Sequence, residues 1–194
     1  MGGQKTVPVK LDDRTVEWLA SVGVEVEFTQ EEHPDSFVPG VWLDHGKILV
    51  NREVAHVSDV LHESGHLACI PGIFRELVEP GSLPTPKLQA AIEEYMGTHP
   101  FMDEQMREDP VCRAILQMGD CEATAWEYAA SKVLGLSVEV LFSERANGFV
   151  PYDGQGPSLW ENLDANAYFG INGLQAAGFC TVREFPKMRR WLAP

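Results

Sequence analysis

No uninterrupted apolar run in this chain approaches the ~20 residues that a membrane-spanning helix needs. The opening MGGQKTVPVK also lacks the apolar centre of a secretory signal, so a cytoplasmic protein is expected. Met1 to Thr6 fits the loose myristoylation pattern, but no polybasic stretch follows to supply a second membrane signal, and no membrane partner is expected. Positive charge is scarce: 15 Lys and Arg stand against 29 Asp and Glu, a formal net charge of -14 that disfavours general nucleic-acid binding. The one compact basic cluster is Lys187, Arg189 and Arg190. Cysteine is sparse and scattered, at 69, 112, 121 and 180 with no CxxC pair, which indicates neither a zinc ribbon nor a disulfide scaffold. There is no internal repeat or low-complexity tract, and 194 residues with 44% hydrophobic content suit one domain, 1–194, around one core.

What is present concentrates its chemistry in VSDVLHESGHLACIP, residues 57–71. His62 and His66 stand four apart with Glu63 beside the first, an HExxH motif. On a helix, two imidazoles at that spacing share a face and can hold one zinc ion (Zn2+). Glu63 lies about 100° further round, placed to take a proton from a metal-activated water rather than to bind the metal. Val57, Val60, Leu61, Leu67 and Ala68 fall on the far side, so the histidines face away from the apolar stripe, as the floor of a cleft requires. Pro71 ends the helix. A pattern with three fixed positions also arises by chance, so its surroundings have to carry the reading.

Residues 11–21 read as a short amphipathic helix closed by Gly23, and Val24, Val26 and Phe28 alternate with polar residues as a strand with one buried face. Val41 to Leu43 and Ile48 to Val50 flank Asp44-His45-Gly46-Lys47 and predict a β-hairpin. Pro and Gly punctuate 71–86, after which Thr85-Pro86 opens a helix; Asp109-Pro110 opens another. From Val111 to Val133 a helical stripe runs through Ile115, Met118, residue 122, Ala125 and Ala129. Beyond Gly135 glycine and proline recur, leaving room for short helices near 159–163, 165–177 and 185–191. The fold class is α+β: a small antiparallel sheet packed on a helical core, with a core over 7–135, a helical insertion at 71–118 and a Gly-rich extension at 136–194.

The residue at 122 is Glu, and a carboxylate in an apolar stripe is costly unless a cation satisfies it. Glu122 is therefore the candidate third ligand to His62 and His66, while Asp120 and Glu127, 140° to 160° away on the wheel, fall on the solvent side. His99 and Asp120 remain as other candidates. Cys69 is about 10 Å along the axis from His62, too far to share a metal with both histidines. A metzincin-type third histidine is absent, since Cys69 and Gly72 stand where that pattern needs Gly and His. Tyr152 and Tyr168 are candidate donors to the oxyanion of a tetrahedral intermediate, although a buried Tyr is more often a packing residue.

The hairpin, ILVN, HESGH and the later E-A-T-A-W-E-Y-A-A, in which Glu122, Ala125, Tyr128 and Ala129 match an E-x-x-A-N-x-F-A helix, resemble the ImmA/IrrE family of intracellular zinc metallopeptidases. The resemblance spans roughly 41–135 and implies a zincin-like fold, zinc held by His62, His66 and Glu122, and Glu63 as general base. The function expected is hydrolysis of a peptide bond in an intracellular protein or peptide. The alternative is a catalytically silent zinc-binding module for regulation or protein interaction.

Overall fold

The computed structural model describes residues 10–194 except 35, 37, 82, 99–103, 143–144, 148–149 and 152, with the backbone alone at 105, 145–147 and 150–151. Helix α1, Asp13–Ser21, begins where the Asp12 carboxylate accepts from the Thr15 N–H at 2.8 Å. Gly23, at φ 88°, turns the chain into strand β1, Glu25–Phe28. Strands β2, Val41–Asp44, and β3, Lys47–Val50, form the expected hairpin, and positive φ at both His45 (44°) and Gly46 (81°) marks a type I′ turn.

β1 then pairs in parallel with β3, from Glu25 opposite Lys47 to Phe28 opposite Val50, in the order β1-β3-β2. The sheet is thus mixed rather than antiparallel as expected. Alternation marks a strand but not its partner, and residues 29–40 return the chain far enough for β1 to take the free edge of β3. At that edge burial fades: Val24 is buried, whereas Phe28 is exposed and carries the Arg52 guanidinium 3.9 Å above its ring.

Helix α2, Val57–Cys69, lies between this sheet and the helices, burying Val57, Val60, Leu61, Leu67 and Ala68 as the wheel requires. A 3-10 stretch, Gly72–Leu77, leads to α3, Pro86–Gly97, and then to α4, Glu104–Glu108. The helix expected over 111–133 is two helices. α5, Pro110–Ile115, is capped by Asp109, and α6, Asp120–Leu134, starts afresh after Gly119 and ends at left-handed Gly135. The apolar spacing of three and four continues across the link at 116–119, so periodicity does not reveal the break.

Helix α7, Val138–Phe142, is followed by the short strands β4, Arg145–Asn147, and β5, Val150–Pro151. Ser158 and Glu161 then form a capping box at α8, Leu159–Asp164, ahead of α9, Gly170–Ala176. Residues 185–191, expected as a helix, run from a turn at 185–186 into irregular chain instead. Their contacts explain this: the Trp191 carbonyl accepts from Trp126 Nε1 at 2.9 Å, and the rings of Trp18, Trp126 and Trp191 lie 4.8 to 5.8 Å apart. Ala193 donates its N–H to Ala68 and accepts from Arg75, tying the last residues to the end of α2. Leu163, Ile171, Leu174 and Phe179 belong to the same hydrophobic cluster as the sheet and α2. No helix among the described residues is long and apolar enough to cross a membrane.

Candidate metal centre

Helices α2 and α6 cross at Gly65. A methyl group there would lie 2.6 Å from the Ala123 carbonyl oxygen and 2.9 Å from its Cα, so only glycine lets the two backbones come this close. The crossing presses the first turn of α6 against both histidines. Asp120 Oδ1 lies 3.2 Å from His62 Nε2 and 3.8 Å from His66 Nε2, and the three ligand atoms are all within 4.8 Å of one another. A tetrahedral zinc with bonds of 2.0–2.1 Å needs ligand atoms about 3.4 Å apart, a spacing the two distances bracket. Two imidazole nitrogens and a carboxylate are also a donor set suited to such an ion. His62, His66 and Asp120 could therefore hold a metal ion.

Behind His62 stands Glu127, with 0% exposure. Its carboxylate accepts from Ser58 Oγ at 2.7 Å and from His62 Nδ1 at 3.3 Å. A carboxylate only accepts, so Nδ1 donates to Glu127, and in the metal-free protein Nε2 donates to Asp120 Oδ1 at 3.2 Å; losing that second proton frees the Nε2 lone pair for a metal. The solvent placement expected for Glu127 is thus corrected, whereas Asp120 is 54% exposed at its side chain. The signal that would have located both is a match of stripes. Ser58, His62 and His66 recur every four residues on α2, and Asp120 and Glu127, seven apart, lie about 20° from one another on α6.

Glu122 lies on the opposite face of α6. Its side chain is buried and folds back to accept from the backbone N–H groups of Gly119 and Glu122 itself, and it packs on Gly173 of α9, where a Cβ would overlap it. The stripe-breaking carboxylate is satisfied as a cap of its own helix and stands outside the group formed by His62, His66 and Asp120. Tyr168 is buried with its hydroxyl against Cys121, and its ionisation is pushed up by burial and by that thiol. It does not line the cavity beside the cluster. Tyr152 and His99 lie outside the described residues. Cys69 is a buried free thiol, held protonated by burial and by the nearby Glu122.

A cavity of about 350 Å³ opens on the cluster, floored by His62, Glu63, His66 and Asp120. Burial raises the Glu63 carboxyl to about 7, which suits a group exchanging protons near neutral pH. Burial pulls His62 down, but Asp120 and Glu127 outweigh it and take the imidazole up to about 9. His66 is lowered to about 4 by burial and by the neighbouring His62. Near neutral pH the metal-free cluster therefore carries a proton on His62 that an incoming cation must displace.

No protein-family model, no curated protein and no solved structure matches the chain.

Proposed function

We propose that the protein is a zinc-dependent peptidase that hydrolyses a peptide bond in an intracellular protein or peptide. The reading is carried by the convergence of His62 Nε2, His66 Nε2 and Asp120 Oδ1 at a cavity that also holds the carboxylate of Glu63. Zinc bound there supplies a Lewis acid that polarises the substrate carbonyl and lowers the pKa of water. Glu63, beside the ligands but directed to the cavity floor, takes the proton of the attacking water and returns it to the leaving amine. Glu127 holds the His62 ring in one orientation through Nδ1, and Ser58 in turn orients Glu127. The likeness to ImmA/IrrE peptidases agrees with this chemistry, with Asp120 taking the ligand role that the likeness assigns to Glu122.

The test is Glu63→Gln in the full chain, assayed for hydrolysis of an unfolded protein substrate and for metal content. Hydrolysis should fall at least ~100-fold, the scale of a lost general base, while about one metal ion per chain remains. Unchanged hydrolysis in this variant would remove the mechanism. Metal retained with no hydrolysis by the unsubstituted protein would leave a zinc-binding module instead.

A further inference from the structure

The walls of the cavity are as informative as its floor. Above the histidines they are built by Ile70 at the end of α2, Leu83 and Pro84 in the following link, Leu88 of α3 and Met118 just before α6. Among the described residues no Lys or Arg lines it, and the two carboxylates that do, Glu63 and Asp120, are on the floor beside the histidines. Its volume of about 350 Å³ is at the lower end of the roughly 300–1,000 Å³ of ligand pockets, room for one large side chain together with the adjoining main chain. Leu88 and Ile70 are almost fully buried parts of the hydrophobic core, so this wall is held by packing.

We propose that this cavity is a side-chain subsite for a bulky aliphatic or aromatic residue adjoining the bond that is cleaved, which defines the substrates as peptides carrying such a residue there. This rests on the peptidase reading above. An acidic side chain would bring its charge against apolar walls that, among the described residues, hold no Lys or Arg to pair it. A small one would leave apolar surface wet. Leu83 and Met118 are only half-buried, which makes them the wall residues that a substrate side chain can cover.

The test is calorimetric binding of three hydroxamic acids to the zinc-loaded full chain, a readout that needs no turnover. Acetohydroxamic acid reports the metal alone, 4-methylpentanohydroxamic acid adds a branched apolar chain, and succinic monohydroxamic acid adds a carboxylate on a chain of similar length. The branched compound should bind at least about tenfold tighter than acetohydroxamic acid, the scale for filling an apolar pocket, and the acidic one no tighter. In Leu83→Ser and Met118→Ser the advantage should shrink severalfold while acetohydroxamic acid binds as before, which shows that the metal site is intact. Equal affinity of all three compounds overturns the subsite and leaves the metal centre standing. No binding of acetohydroxamic acid at all overturns the metal reading beneath it, and the subsite with it.

Discussion

The two faces of α6 hold the same kind of side chain to opposite ends. Toward α2, Asp120 and Glu127 meet two imidazoles and a hydroxyl, so their negative charge is matched by groups that can bind a cation. Toward α9, Glu122 meets two backbone N–H groups and a glycine, so its charge is spent on the start of its own helix. Each face is closed by glycine, Gly65 against Ala123 on one side and Gly170 and Gly173 against Cys121 and Glu122 on the other. A buried carboxylate on an apolar stripe therefore indicates that a partner exists, but not that the partner is a metal.

The strongest way to break this contrast is to exchange the roles of the carboxylates. Asp120→Ala and His66→Ala should each reduce bound metal from about one ion per chain to less than about a tenth of that, while Glu122→Gln should keep it, as elemental analysis after gel filtration would show. Loss of metal in Glu122→Gln with retention in Asp120→Ala would invert the two faces. Removing the support behind His62 has a smaller effect: Glu127→Gln should weaken metal binding about 10- to 100-fold in competition with a chelator.

The glycines sharpen the contrast further. Gly65→Ala and Gly173→Ala should both destabilise by about 1–3 kcal/mol in urea unfolding, the range for overpacking a tight contact. Only Gly65→Ala should also weaken metal binding, since it alone separates α2 from Asp120. Equal effects on metal binding would mean that the crossing does not set the site.

The smallest effect is protonic. The metal-free pKa of His62, about 9, lies above its ordinary 6.5, so its contribution to stability is full below about pH 6.5 and is lost as pH rises through 9. Glu63, raised to about 7, gives a slope of the same sign only up to that pH, and the fall between pH 7 and 9 belongs to His62. Urea midpoints of the metal-free protein should drop over that window, and the drop should vanish in His62→Gln. Metal uptake at pH 7.5 should release about one proton, measurable by calorimetry in buffers of different ionisation enthalpy. Uptake without release would mean that His62 is already neutral.

Much of the short-range order was legible. The helix at 11–21 closed by Gly23, the turn at His45-Gly46, the spacing of His62 and His66 on α2, the Pro86 start of α3 and the Asp109 cap of α5 depend on residues close to one another in the chain. What stayed hidden depends on distant partners. The parallel pairing of β1, the break at 116–119, the irregular path at 185–191 and the surroundings of Asp120, Glu122 and Glu127 follow from what lies across each contact.

On a helical wheel Glu122 interrupts an apolar stripe, while Asp120 and Glu127 look toward solvent. That wheel assumes one buried face, and α6 has two, because α9 from the Gly-rich extension covers the second. The sequence by itself determined that two histidines and a glutamate share a helix turn. The tertiary structure decided which carboxylate joins them, since a side chain's partner is chosen by the packing of segments far apart in the chain, and periodicity holds no record of that packing.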